Sequence, residues 1–273
     1  MTLTDPSLLE DLFTHEVDGQ PAQFVRPADT DLPNWGVYDG DDFLGMLYSD
    51  QSRGGAGWRL GQSHERHDVL DDAVRALRRP RSWPREREQV SDWARRLLAD
   101  ESLTAIDVET TGLNEPWAVQ IAATDRSGAV LFDAYLDPRA EIEPGAVAVH
   151  KITPERVAGA PTFGELLPAL TEALHGRTCV AYNMPFDREC LERELRRHHG
   201  SSESAAQWLG RCRWDDAMEP YAVWKGLWSV KRGRYRTQKL GGPHNAVGDC
   251  RFLLAKVREM AKGRGFTFSE GGS

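Results

Sequence analysis

The chain has 273 residues, 40% hydrophobic and 28% charged, the composition of a soluble globular protein with one large domain or two. It lacks an apolar run long enough to span a membrane and a basic stretch leading into an apolar one, so neither a membrane span nor a signal peptide is expected. Its net charge of −8 is uneven: residues 1–60 carry 11 acids against 3 bases, residues 201–273 carry 7 against 13, which leaves room for a local phosphate-binding surface.

In chain order, Trp35–Tyr38 reads as a strand, Asp39–Gly40 as a hairpin turn and Phe43–Tyr48 as its partner. Gly54–Gly57 turns the chain into Trp58–Leu60, and Leu70, Ala73, Val74 and Leu77 then recur at helical spacing. Residues 1–80 are thus expected to form a small β-meander closed by one helix. Residues 79–88 are proline-broken and charged, as a linker is. Ser91 can cap a short helix whose Trp93, Leu97 and Leu98 share a face. The linker and this helix occupy 81–100. From residue 101 strands are expected at 103–109, 117–124 and 129–136, and a helix over Phe163–Leu174. A buried strand follows over Thr178–Tyr182, then a helix from Pro185 to about His198. A short strand near Arg213–Trp214 leads into a helix from Asp216 to about Trp224. Residues 225–243 read as loop and Asn245–Lys262 as a last helix. Strands in a meander, then alternating with helices, predict an α/β fold with a mixed sheet and helices on its faces, over 101–265. The tail 266–273 is expected to be flexible. The cysteines Cys179, Cys190, Cys212 and Cys250 show no C-x-x-C pair. Buried-hydrophobe roles and a reducing cytoplasm are the natural reading.

Three short segments carry acids in a suggestive order. Asp107 and Glu109 stand two apart in a strand, so they face the same side, and Gly112 permits a tight turn after them. A polar strand end facing water explains the pair equally well. Asp187 falls in the first turn of a helix behind Pro185, where the helix dipole alone favours an acid. In the same turn Asn183 is either a cap or a site residue, and Phe186 either core or a base-stacking surface. His244 lies on a glycine-rich loop and Asp249 about one turn into the last helix. Five residues apart, they do not share a helical face, so the useful arrangement is a loop histidine near a water and a helix aspartate on a metal. Histidine suits proton transfer near neutral pH, although an exposed loop histidine needs no such role. Like-charged carboxylates brought together repel and are held by cations. Hard oxygen ligands favour Mg2+ or Mn2+ over zinc.

The stretches AIDVETTGL (105–113), VAYNMPFDRECL (180–191) and HNAVGD (244–249), with AVHKIT (148–153) beside them, resemble the DEDDh (DnaQ-like) 3′–5′ exonuclease family over about residues 101–262. The resemblance implies a ribonuclease H-like mixed five-stranded sheet flanked by helices. It implies that Asp107, Glu109 and Asp249 hold one Mg2+, that Asp107 shares a second with Asp187 directly or through water, and that His244 takes the proton of the attacking water. Mn2+ is expected to substitute. The 3′-terminal nucleotide is expected near Thr110, Thr111, Gly112 and Leu113, with Asn183 and Phe186 beside it. His150 is read as structural or a substrate-edge contact.

The segment 224–239 interleaves bases with Trp224, Trp228 and Tyr235. Lys231, Arg232, Arg234 and Arg236 are expected to grip phosphates while the rings stack on bases. The alternative is a solvated loop whose tryptophans pack back on the protein. The expected activity is 3′–5′ exonucleolytic hydrolysis of single-stranded DNA. The alternatives are trimming of RNA and a nucleic-acid-binding subunit on a nuclease scaffold. The acidic residues 1–80 suit a protein partner better than phosphate, and a polymerase is one candidate.

Overall fold

A computed structural model describes residues 9–28, 32–50, 56–61 and 65–263. Half of the expected Gly54–Gly57 turn and all of the expected tail 266–273 lie outside these residues. The chain divides into two compact units, Met1–Trp83 with Gly226–Arg236, and Pro84–Lys225 with Thr237–Ser273.

In the first unit six strands follow one another in an antiparallel sheet: β1 (Leu12–Val17), β2 (Gln20–Val25), β3 (Asn34–Asp39), β4 (Asp42–Asp50), β5 (Gly57–Leu60) and β6 (Arg66–His67). The meander is therefore longer than expected at both ends. Helix α1 (Leu70–Arg78) lays Leu70, Ala73 and Val74 on a core of Val17, Phe24, Trp35, Val37, Leu47 and Trp58. The hairpin β1–β2 turns at Asp18 and Gly19, with φ of 56° and 70°, the left-handed pair that a two-residue turn between twisted strands needs. Arg78 is buried at the C-terminal end of α1. It forks onto Asp39 at 3.0 and 2.6 Å and donates to the carbonyls of Val17, Gln20 and Pro21.

Residues 81–88 are not the linker their composition suggests. Trp83 opens helix α2 (Trp83–Ala99), a 17-residue helix whose Pro84 sits where a missing N–H costs nothing. Ser91 is inside this helix and donates to the Arg87 carbonyl at 3.2 Å, so it caps nothing. Val90, Ala94 and Leu97 of α2 enter the core of the second unit.

That unit is built on a five-stranded mixed sheet. Strands β7 (Leu103–Thr110), β8 (Ala118–Asp125) and β9 (Val130–Tyr135) form an antiparallel meander. Strand β10 (Thr178–Ala181) adds parallel to β7, and β11 (Arg213–Asp216) parallel to β10. Helices α3 (Pro144–His150), α4 (Pro154–Val157), α5 (Phe163–Leu174), α6 (Met184–His199), α7 (Ser202–Leu209), α8 (Met218–Lys225) and α9 (Ala246–Ala261) complete it. Ile106 and Val108 of β7 join a core with α5, α6 and α7, while Leu103 and Ala105 join one with α2, α8 and α9. The fold is the expected ribonuclease H-like α/β arrangement. Helices α3, α4 and α7 were not expected. All four cysteines are buried and unbridged.

After α8 the chain enters the first unit as a small hairpin, β12 (Trp228–Ser229) and β13 (Arg234–Tyr235). Within the loop expected over 225–243, this hairpin is ordered, while residues 236–243 are irregular as expected. Ser229 accepts a hydrogen bond from Gln20 at 3.3 Å, and the Gly226 carbonyl accepts one from Arg79 at 3.2 Å. A Cβ at Gly226 would meet the Trp83 ring at 2.5 Å. No helix among the described residues is long and apolar enough to cross a membrane.

Candidate active site

Strand periodicity fixes the first two acids. Leu103, Ala105, Asp107 and Glu109 alternate with Ile106 and Val108, so the acids lie on the side of β7 that packs on α9. Asn245 caps that helix, its side chain accepting from the Gly248 N–H at 2.9 Å, and Asp249 stands in the first turn. The meeting of strand end and helix start brings carboxylate oxygens of Asp107, Glu109 and Asp249 within 4.8 Å of one another. Asp187 approaches from α6. Its buried carboxylate accepts the backbone N–H of Val108, the residue between the two strand acids, at 3.0 Å.

All four acids hold protons more tightly than ordinary carboxyls. For Asp107 the cause is burial first, then the charges of Asp187, Glu109 and Asp249. Burial and Asp249 push Glu109 up to about 7. Burial raises Asp187 despite the Val108 N–H. It also raises Asp249, against the opposing effects of His244 and of backbone N–H bonds from His244 and Asn245. Among the described residues, no lysine or arginine forms an ion pair with these four carboxylates. Three hard oxygen donors so close together, each penalised for ionising, match a divalent ion such as Mg2+ in kind and charge.

Asp249 also fastens the loop before it. The Gly242 backbone passes so close that a Cβ there would fall 1.6 Å from Asp249 Oδ1. Together with the N–H bonds from His244 and Asn245, this ties the loop to the acid. His244, at φ 56°, is exposed at the rim. Nothing in the sequence marks Gly242, because its signal is a close approach that appears only in three dimensions.

The turn after β7 uses its own hydroxyls. Thr110 donates to the Gly112 carbonyl at 2.7 Å, and Thr111 Oγ1 accepts the Trp117 N–H at 3.0 Å. Both threonines are buried, so their hydroxyls serve the turn. A Cβ on Gly112 would strike the Glu143 carboxylate at 2.3 Å. Leu113 alone of the four projects, at 85% exposure, and lines a recess of about 270 Å3 with Phe186 and Arg193. Asn183 holds the N-cap position at φ 68° without a side-chain cap bond. The capping bond comes from Asp216, which accepts the Met184 N–H at 2.9 Å.

His150 is a buttress. Its Nδ1 accepts the Ile152 N–H at 3.0 Å, so Nε2 donates to the Thr110 carbonyl at 3.1 Å. Burial holds its pKa below the usual value, as suits a neutral ring bracing the strand end.

Most of the basic segment belongs to the first unit. Lys231, Arg232 and Arg234 are exposed on the β12–β13 hairpin of the first unit, and Arg236 donates to the Asp18 carbonyl in the same unit. Trp228 meets Tyr235 edge to face at 4.9 Å. Trp224 stacks on Tyr221 at 6.1 Å, with Arg87 over its ring at 4.7 Å. The rings expected to stack on bases thus pack on the protein.

The family model described as exonuclease, of the RNase_T type, matches residues 104–257. An uncharacterised exonuclease of Escherichia phage 186 is 28% identical over 187 residues, covering 64% of this chain and 95% of that protein. The DNA polymerase III subunit epsilon of Treponema pallidum is 31% identical over 184 residues, covering 63% and 81%. A solved structure of exonuclease X with 5′-overhanging duplex DNA superposes with a TM-score of 0.41 at 26% identity, covering 60% of this chain and 94% of that one. The matched stretch is more than half of the chain and contains all three acidic motifs, so this protein belongs to the DEDDh (DnaQ-like) exonuclease family and is a nuclease.

Proposed function

We propose that this nuclease removes nucleotides one at a time from the 3′ end of single-stranded DNA, using two divalent cations, Mg2+ or in its place Mn2+. The observation that carries the reading is the convergence of the Asp107, Glu109 and Asp249 oxygens within 4.8 Å, in a setting that disfavours their ionisation unless cations are bound. Asp107, Glu109 and Asp249 would hold one ion, and Asp107 with Asp187 the other. Bound there, such ions supply an activated water and offset charge on the phosphate.

The remaining work falls to the chain. His244, exposed on its loop, accepts the proton of the attacking water at a ring nitrogen. Asp249 keeps that loop beside the acids through its bonds to the His244 and Asn245 N–H groups. The buried His150 holds the Thr110 carbonyl and so braces the strand end that carries Asp107 and Glu109. Leu113 and Phe186 offer apolar surface to a terminal base. DNA rather than RNA is supported by the names of relatives, among them exodeoxyribonuclease 10 of Escherichia coli.

A 5′-labelled single-stranded DNA and its RNA counterpart test the proposal, each with Mg2+, with EDTA and with Asp107→Ala protein. The expected result is a Mg2+-dependent ladder that shortens from the 3′ end, faster on DNA and lost in the variant. A ladder from the 5′ end, or one that survives EDTA, would overturn it.

A further inference from the structure

The outer face of α6 carries a charge pattern that catalysis does not use. Phe186, Glu189, Arg193, Arg196 and Gly200 recur at intervals of three and four and therefore lie in one stripe. The stripe starts at the recess with Leu113 and runs into a second, of about 540 Å3. Arg193, Arg196 and Arg197 line the second recess together with Glu115 and Trp117. Glu115 and Arg193 line both recesses, which therefore adjoin. A third, lined by Arg139 and His198, shares Arg197 with the second. From Asp187 to Arg197 the helix rises about 15 Å, the length of roughly four stacked nucleotides.

The arginines are set in place rather than loose. Arg193 donates to the Pro116 carbonyl at 3.0 Å. Arg197 lies over the Trp117 ring at 3.8 Å and donates to the Pro138 carbonyl at 2.8 Å and to Glu194 at 2.7 Å. Glu194 is itself buried and accepts the Ala118 N–H at 3.1 Å. A guanidinium has five N–H donors, so Arg193 and Arg197 keep donors beyond these bonds, and Arg196 is exposed. In the second recess three arginines face one exposed acid, Glu115. Fixed, forked cations with spare donors suit phosphate oxygens.

We propose that this arginine-lined recess binds the phosphodiester backbone of the strand whose 3′ end lies at the four acids, so that one helix carries both Asp187 and the track for the strand. The inference rests on the function proposed above. It gives α6 a phosphate-contact role of the kind that the sequence also suggests for residues 231–236.

The test compares kcat/KM on a dinucleotide and on a single strand of about 12 nucleotides. The proteins are the full-length chain, Arg193→Ala/Arg196→Ala and, because Arg196 is exposed and tolerates change, Arg196→Glu alone. The preference for the longer substrate should fall about tenfold in the double variant. Binding of the longer strand by Asp107→Ala protein, with and without the arginine changes, is measured across salt. The slope of log K against log salt should drop by about 0.7 for each phosphate contact removed. Cleavage with an unchanged preference and slope in both variants would overturn the track and leave the exonuclease reading intact. Failure of the unaltered protein to cut either length would remove that reading, and the track with it.

Discussion

Each unit of this molecule buries charge, and the two do so in opposite ways. In the N-terminal unit Arg78 is 5% exposed. It has a bidentate partner in Asp39 and three backbone carbonyls besides, so the chain supplies all the compensation that burial demands. In the exonuclease unit Asp107, Glu109, Asp187 and Asp249 crowd together, and their shifts all run toward protonation. Buried charge that the chain neutralises is architecture; buried charge it leaves open is a demand for something from outside. That contrast separates a structural cluster from a functional one without reference to any motif.

Several substitutions bear on the contrast. The largest effect is expected at Asp249, which joins the acid cluster and fastens the His244 loop. Asp249→Ala should lower kcat/KM by roughly 10^3-fold or more, read from initial rates on a labelled oligonucleotide, and a change below tenfold would break the argument. Arg78→Ala should cost about 3–5 kcal/mol, because it strands Asp39 in a buried site. Urea unfolding followed by tryptophan fluorescence checks this, Trp35 and Trp58 being core residues of that unit, and nuclease rates report separately on the other unit. Metal should stabilise only the cluster: Mg2+ at 100 times its Kd adds about 2.7 kcal/mol, a gain that Asp107→Asn abolishes and Arg78→Ala retains in thermal melts.

The smallest effect is in pH dependence without metal. Glu109 rises from its ordinary 4.5 to about 7 in the folded chain. Between those values the folded state binds more protons than the unfolded one, so stability falls as pH rises through the window. In EDTA the urea midpoint should decline from pH 4.5 to 7, less so in Glu109→Gln. An equal decline in the variant would assign the slope to other groups.

Much of the site was legible because it obeys local periods. Alternation in β7 put Asp107 and Glu109 on one side, and helical spacing put Asp249 near the start of α9. The turn Asp18–Gly19 between alternating Phe13, His15, Val17 and Ala22, Phe24 was an equally local signal that went unread. So was the stripe of Arg193 and Arg196 along α6. Other features had no local signature. Trp83–Arg87 read as linker because Pro84 and dense charge mark loops, yet a proline at a helix start breaks nothing. The basic segment gave no sign that Ser229 would bond Gln20, because that partner lies more than 200 residues away.

The hairpin at Gly226–Arg236 has a consequence for how such a protein is assembled or taken apart. The N-terminal unit is not a bead threaded ahead of the nuclease, since its last piece is contributed by a segment between α8 and the His244 loop. A fragment that begins at residue 84 would keep that piece and expose the buried Gly226, Ser229 and Tyr235. One cut therefore never separates the two units. A lineage that gained or lost the first unit had to change the chain in two places, the second only a few residues before His244.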